Sequence, residues 1–323
     1  MPRARKQPGR RLRKSDWAPL MDAARTHFPP GNKYGVLGFG IHRKTTAGRT
    51  SSEPALNAYV VHKHEQPKHP VPLIRVKKLG LSVRPDVIGV GANPRSHAGF
   101  TPPFTGLYPG AAIRAQGRVV EFGGVACLLG DATGPTHLLT AGHLFASGQA
   151  QTPVFSGRRA APPLVVGTLA VNLLDQPFAF MTEPLDVALV ALNPAGVRLA
   201  AASSDGPKLT GSVAADAAGG LEVTAFLPTA HDASRATATL AGPVEVQMDS
   251  SARGTYTVSG ALGTEAVVTN SGDSGTILYN GERGDALAVG ICVGQFGAMS
   301  VFEPLARALG VLRQGTELEL AIV

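Results

Sequence analysis

The chain has 323 residues, of which 44% are hydrophobic, enough for two domains or one large one. Aromatic residues are few, while glycine (39) and proline (25) are plentiful, and this balance favours many short strands joined by tight turns. Two cysteines, Cys127 and Cys292, are too few for a disulfide framework or a zinc cluster. The two cysteines could form one disulfide bridge, but a pair of buried free thiols is the preferred interpretation.

The excess positive charge lies at the N-terminus. Residues 1–14 hold seven basic residues and no acidic one, whereas the whole chain holds 30 basic and 23 acidic residues. The remainder therefore carries 23 of each and is neutral. We expect residues 1–15 to form a disordered tail that either contacts nucleic acid or an anionic surface, or serves only as a solubilising arm.

The sequence predicts a soluble, cytoplasmic protein without a transmembrane segment. No apolar run follows the basic tail, so the tail is unlike a secretory signal. The longest uncharged, mostly apolar run, residues 286–302, contains three glycines and is slightly short for a membrane span. We interpret it as paired strands.

Residues 16–92 are predicted to form a small α+β module. Apolar residues recur at helical spacing over residues 16–28, and strand-like patterns follow at 34–42, 55–64 and 86–91. The residues after the module, 93–112, are rich in glycine, proline and small side chains, and predict a linker.

Three histidines of this module, His62, His64 and His69, are the candidates for a metal site. No cysteine, aspartate or second histidine pair accompanies them, so a solvated basic strand end is the preferred interpretation. The sequence therefore predicts no metal and no cofactor.

From residue 113 the pattern changes to short apolar segments, each closed by Gly, Pro or Asp, which is typical of a β-sandwich or barrel. Within this region, residues 270–276 read Asn-Ser-Gly-Asp-Ser-Gly-Thr. Such a turn can aim the backbone N–H groups of Gly272 and Ser274 at one oxyanion, beside a serine hydroxyl that acts as nucleophile once a base removes its proton. Alone, a Gly-Asp-Ser-Gly run is most often just a turn.

A base and a carboxylate are available earlier in the chain. His143 follows an apolar strand and the small residues Ala141 and Gly142, which would let a neighbouring backbone come close. Asp186 stands at the start of an apolar strand, where a carboxylate needs a partner, and an imidazole N–H would serve. Each residue alone would be read as structural. Together they give the order His143, Asp186, Ser274, with separations of 43 and 88 residues.

This order resembles that of the chymotrypsin-like serine proteases. The matching segments are Leu139–His143, Asp186–Val190 and Gly272–Gly275. Chain order distinguishes this family from the subtilisin and α/β-hydrolase arrangements. The run Arg84–Ile88 also resembles, weakly, the N-terminal module of certain bacterial trypsin-like proteins.

The resemblance implies two six-stranded antiparallel β-barrels within residues 113–315, with His143 and Asp186 from the first barrel and Ser274 from the second. A closing helix is expected at 302–313 and a tail at 316–323. The oxyanion hole would consist of the N–H groups of Gly272 and Ser274. The chain lacks an Ile-Val-Gly-Gly start near 113–124, so activation by a new N-terminus reaching Asp273 is not expected.

The resemblance also places the substrate pocket near Val268, Ile291 and Cys292. No acidic residue falls at the expected pocket floor, so we expect cleavage after small or apolar side chains rather than after Lys or Arg. The predicted function is that of a serine endopeptidase acting on peptide or protein substrates. The alternatives are a protease-fold module that binds peptides without turnover, and a nucleic-acid-associated protein that acts through residues 1–14.

Overall fold

The computed structural model of the chain describes residues 12–46, 49–61, 70–90, 95–96, 106–115, 121–146, 151–157, 164–203, 206–214, 216, 219–227, 235–250, 253–270, 272–282 and 284–323. Two compact units divide the chain, Met1–Gly91 and Ala92–Val323.

The first unit combines one helix with short strands. Helix α1 (Trp17–His27) is followed by β1 (Val36–Thr46), β2 (Arg49–Val60), β3 (Ile74–Val76), β4 (Leu81–Val83) and β5 (Asp86–Gly89). Strands β1 and β2 form an antiparallel hairpin, β5 adds to β2 in parallel, and β3 pairs with β4. The helix buries Leu20 and Ala24, four residues apart on one face, in a core that includes Phe39 and Ile41 of the hairpin. The predicted histidine cluster lies outside the described residues.

The second unit begins with β6 (Arg95–Ser96) and contains two β-sheets. The first sheet has the strand order β21-β9-β10-β13-β12-β11-β7-β8. Its strands are β7 (Ala112–Ala115), β8 (Glu121–Gly124), β9 (Cys127–Asp131), β10 (Gly134–Thr140), β11 (Pro153–Ser156), β12 (Val165–Asn172), β13 (Ala188–Leu192) and β21 (Ala321–Ile322).

This sheet closes on itself because β8 and β9 are separated by only two residues. Val125 donates its N–H to Ala111 O at the end of the sheet that holds β7, and Ala126 donates to Leu139 O in β10 at the other end. The two short strands therefore act as one bent strand that joins both ends of the sheet into a barrel.

The second sheet runs in the order β15-β18-β19-β20-β17-β16, and an additional pairing of β15 with β16 closes it into a six-stranded barrel. These strands are β15 (Glu222–Phe226), β16 (Arg235–Ser250), β17 (Gly254–Thr264), β18 (Ile277–Glu282), β19 (Asp285–Phe296) and β20 (Met299–Pro304). Strand β14 (Leu209–Ser212) adds in parallel to β19. The double barrel predicted from the sequence is therefore confirmed.

Two helices complete this unit, α2 (Pro194–Ala201) and α3 (Leu305–Thr316). The side-chain oxygen of Asn193 caps α2 by accepting the N–H of Gly196 at 2.8 Å. The predicted closing helix exists but starts later than expected, because residues 302–304 continue β20. Helix α3 buries Leu305, Leu309 and Leu312 along one face.

Two boundaries differ from the sequence prediction. The expected linker, residues 93–112, lies partly outside the described residues, but Leu107, Tyr108 and Ala111 belong to the core of the second unit. Their apolar side chains are buried despite the surrounding glycines and prolines. The expected C-terminal tail contributes β21, which pairs antiparallel with β9.

Both cysteines are buried free thiols, as the sequence analysis preferred. Within the described residues, no helix combines the length and apolar character needed to cross a membrane.

Candidate active site

Strand register brings His143 and Asp186 together. Strands β10 and β13 are antiparallel, with Thr140 opposite Ala188, so the residues after β10 lie beside those before β13. His143 lies on a single 3₁₀ turn, Gly142–Leu144, that follows β10. Gly142 leaves no room for a side chain, since a Cβ there would come within 2.6 Å of Asn172 Oδ1 and 3.1 Å of Val187 N. The small residue before His143 thus permits the close approach that the sequence predicted.

The imidazole and the carboxylate make two hydrogen bonds. Asp186 Oδ2 lies 2.7 Å from His143 Nδ1, and Asp186 Oδ1 accepts the backbone N–H of His143 at 2.8 Å. Both side chains are buried. Because the carboxylate accepts at Nδ1, the proton of the neutral ring is held there, and Nε2 is left as the basic nitrogen. Nε2 is buried and has no hydrogen-bond partner among the described residues.

A tyrosine of the second barrel contacts both members of this pair. Tyr256, in β17, donates its hydroxyl to Asp186 Oδ2 at 2.8 Å, and its ring stacks on that of His143 with centroids 6.0 Å apart and an interplanar angle of 24°. Burial and then the negative charge of Asp186 raise the pKa of Tyr256, so this hydroxyl stays a donor. Burial alone would raise the pKa of Asp186, but the charge of His143 and the hydrogen bonds from His143 and Tyr256 hold it below its usual range.

A second buried carboxyl lies behind Asp186. Glu303, in β20, accepts the backbone N–H of Asp186 through Oε1 at 3.0 Å, while its Oε2 is buried without a hydrogen-bond partner among the described residues. Burial raises the pKa of Glu303 to about 7, although the bond from Asp186 and the charge of Arg307 oppose the shift. The negative charges of Asp186 and Glu183 also raise it.

Replacing Glu303 with glutamine is expected to change the pH dependence of stability. The raised pKa means that folded Glu303 keeps its proton between pH 4.5 and about 7, whereas the unfolded chain releases it. Wild-type protein should therefore lose stability as pH rises through this window, by about 3 kcal/mol for a shift of this size. Glu303→Gln should remove that loss in urea unfolding measured from pH 4 to 8. The exposed Glu222→Gln is the control, and an unchanged slope in Glu303→Gln would contradict the assignment.

The serine turn is held by its own backbone. Between β17 and β18, Asp273 N–H donates to Asn270 O at 3.1 Å and Thr276 N–H donates to Asp273 O at 2.9 Å. Asp273 is fully buried, and its Oδ2 accepts the N–H of Asn270 at 2.7 Å. The carboxylate of Asp273 is thus engaged by the turn itself.

The turn lies directly against the first barrel. Ser274 O accepts the N–H of Gly124 at 2.6 Å. Gly275 has a φ of +83° and no space for a side chain, because a Cβ would overlap Thr140 Oγ1 and lie 2.9 Å from Ala141 N. Ser274 is therefore seated against the end of β10, the strand that leads to His143. Gly272, with a φ of +97°, also has a backbone conformation that favours glycine.

Ser274 Oγ itself is not hydrogen-bonded to the imidazole. It donates to Val293 O, in β19, at 3.4 Å. The structure thus joins His143 to Asp186 directly and places the Ser274 turn on the adjoining barrel end, with the hydroxyl directed to β19.

The residues expected to line the pocket are buried and lie in different parts of the core. Val268 and Cys292 share a small apolar cluster of the second barrel, whereas Ile291, the neighbour of Cys292 in β19, packs into the larger core. Adjacent strand residues face opposite sides of a sheet, so Ile291 and Cys292 cannot direct their side chains into one pocket. The substrate pocket at Val268, Ile291 and Cys292 stays a prediction. Sequence reasoning also missed Tyr256 and Glu303, although an acid within the apolar segment 299–305 was a visible signal.

No family model matches the chain, and no curated protein matches it. Among solved structures it is similar to a glutamic-acid-specific serine protease that uses a histidine triad in substrate binding (16% identity, 67% of this chain, 100% of the other, TM-score 0.44). It is similar to Nocardiopsis protease (17%, 67% and 98%, TM-score 0.44) and to the active form of Rv3671c protease from M. tuberculosis (14%, 64% and 82%, TM-score 0.41). The two barrels described above have the chymotrypsin-like serine protease fold.

Proposed function

We propose that the chain is a serine endopeptidase that hydrolyses peptide bonds through Ser274, His143 and Asp186. The observation that carries this proposal is the buried His143–Asp186 pair, with 2.7 Å between Nδ1 and Oδ2 and with Nε2 left without a partner among the described residues. A buried nitrogen without a hydrogen-bond partner lowers the stability of the folded chain. Such a cost is typical of an atom that is kept available for a reaction.

The reaction begins with a rotation of the Ser274 side chain. Its bond to Val293 O is long, at 3.4 Å, and is exchanged for one to His143 Nε2. His143 then takes the hydroxyl proton while Oγ attacks the peptide carbonyl, and returns that proton to the leaving amine. Water hydrolyses the resulting acyl-enzyme by the same route. Asp186 holds the ring orientation and stabilises the imidazolium.

The oxyanion is assigned to the N–H groups of Gly272 and Ser274. The supporting observation is the rigid turn around them, in which Asp273 and Thr276 donate to other residues of the same turn. Donors that are fixed before the reaction stabilise developing charge without reorganisation.

A peptide library tests the proposal. Purified protein is expected to cleave internal peptide bonds after small or apolar side chains, since Val268 is apolar and no acid replaces it at the expected pocket floor. Mass spectrometry of the products gives the cleavage positions. Failure to cleave any peptide would favour the alternative of a peptide-binding module without turnover, and preference for Lys or Arg would contradict the specificity.

No observation favours nucleic-acid binding, because residues 1–11 of the basic tail lie outside the described residues.

Tyr256→Phe is expected to lower kcat about tenfold with little change in KM. The substitution keeps the ring that stacks on His143 but removes the hydrogen bond to Asp186. Hydrogen bonds to charged groups contribute about 1.5–3 kcal/mol, and imperfect orientation of the imidazole affects the transition state more than substrate binding. Steady-state kinetics with Tyr256→Leu alongside should show a larger loss for leucine. Equal activity of all three proteins would show that Tyr256 has no positioning role.

A further inference from the structure

A two-residue strand of the chain itself lies between the two strands that border the candidate site. β6 pairs antiparallel with β19, with Ser96 opposite Gly294 and Arg95 opposite Gln295. On its other side, Arg95 pairs in parallel with Asp249 of β16. This backbone segment thus bridges β16 and β19.

On both β16 and β19, the residue next to the position that pairs with β6 contacts a candidate catalytic residue. Ser250, which follows Asp249, donates its hydroxyl to His143 O at 3.3 Å. Val293, which precedes Gly294, accepts the hydroxyl of Ser274 at 3.4 Å. β6 is therefore inserted between a strand that contacts the base and a strand that contacts the nucleophile.

Strand β6 runs from Arg95 to Ser96 in the direction of the nucleophile. In an antiparallel pair, each step forward on one strand is a step backward on the other. Passing from Arg95 to Ser96 corresponds to passing from Gln295 to Gly294, and so towards Val293 and its contact with Ser274.

The candidate catalytic residues are closed to solvent. Ser274 is 0% exposed, and His143 and Asp186 are each 1% exposed. A peptide carbonyl must come within bonding distance of Ser274 Oγ, so some part of the chain has to move before a substrate can bind. β6 is held at the site by two short pairings, so its release breaks few backbone hydrogen bonds.

We propose that β6 acts as an intramolecular inhibitor, because it pairs with the backbone of Gly294, Gln295 and Asp249 at the place where an extended substrate strand would have to pair. This inference rests on the proposed function. Pairing through main-chain groups accepts many sequences, so the same surface suits both the chain's own segment and a substrate strand.

The inhibition is reversible because the pairing is short. An attached segment acts at an effective concentration in the millimolar range, which favours occupancy over a dilute substrate. Only a few backbone hydrogen bonds hold it, and each of them contributes little net free energy. We therefore expect partial inhibition, and an increase of about tenfold in activity when the pairing is abolished.

The double variant Arg95→Pro, Ser96→Pro tests this inference in the full-length chain. Proline has no N–H, so the segment can no longer pair with β19 and β16. We expect a rise of about tenfold both in the rate at which a fluorophosphonate labels Ser274 and in kcat/KM for a cleaved peptide. A synthetic peptide with the sequence of residues 92–100 should then inhibit the double variant.

The matched control is Ala321→Pro, which alters another two-residue strand, β21, at the first barrel. The fluorophosphonate should label Ser274 of this variant at the wild-type rate. Equal rates for the double variant and wild type would overturn the inference while leaving the proposed function intact. If no protein labelled at all, the proposed function would fail and the inference with it.

A disulfide that holds β6 in place tests whether stronger pairing lowers activity. This test does not depend on how the proline variant folds. Arg95 and Gln295 are opposed in the register, so Arg95→Cys, Gln295→Cys should form a bridge that locks β6 in place. The native thiols are buried and do not compete. Labelling of the oxidised variant should fall at least tenfold and recover on reduction. Equal labelling of the oxidised and reduced forms would overturn the inference.

Discussion

Ser274→Ala is expected to reduce kcat/KM for peptide hydrolysis by at least about 10⁴-fold, with the residual activity limited to what binding and the oxyanion donors provide. Alanine removes only the hydroxyl, whose bond to Val293 O at 3.4 Å contributes little to folding. Substrate binding and thermal stability should therefore stay close to those of wild type. Rates are measured with a peptide identified by library cleavage, in the wild-type and in the Arg95→Pro, Ser96→Pro backgrounds.

Ser82→Ala is the matched control, because Ser82 is exposed in β4 of the first unit. It should retain full activity. Peptidase activity in Ser274→Ala at more than about a hundredth of the wild-type rate would assign the nucleophile to another residue.

Asp186→Asn is expected to lower kcat by about 10⁴-fold at neutral pH. An asparagine can keep the contact with Tyr256, but its amide group can donate to Nδ1, which moves the imidazole proton to Nε2. His143 then has no free nitrogen to accept the proton of Ser274. Among the described residues, His143 Nδ1 contacts no carboxylate other than the buried Asp186.

The control for Asp186→Asn is Asp131→Asn, an exposed carboxylate in the turn that joins β9 to β10. This variant should be as active as wild type. A loss of less than tenfold in Asp186→Asn would mean that His143 does not depend on Asp186 for its tautomer.

The candidate site was predictable from the sequence only where its residues follow local patterns. Small residues after an apolar strand made His143 a candidate, and an acid before a buried strand made Asp186 one, but only their order with Ser274 distinguished them from structural residues. Tyr256 and Glu303 contact Asp186 from positions 70 and 117 residues away, and no local pattern encodes such contacts. The side-chain directions at the expected pocket were also not predictable from local pattern. Only the pleat of β19 shows that Ile291 and Cys292 face opposite sides of the sheet.

The fold followed a similar rule. Repeated short apolar segments predicted a β-sandwich or barrel, because alternation and turn residues are local features, and the resemblance to chymotrypsin-like proteases implied that there are two barrels. β6 was not predicted, since two residues in a stretch rich in glycine and proline carry no periodicity and become a strand only through β16 and β19. Likewise, the spacing of Leu305, Leu309 and Leu312 predicted a closing helix but not its first residue, and pairing with β19 places residues 302–304 in β20 instead.

Mass spectrometry after fluorophosphonate treatment tests the central claim most directly, since this reagent phosphonylates a serine only where a base activates its hydroxyl. We predict one modified residue, Ser274, with modification abolished by His143→Ala. Modification of a different serine, or of none in the Arg95→Pro, Ser96→Pro variant, would contradict the account.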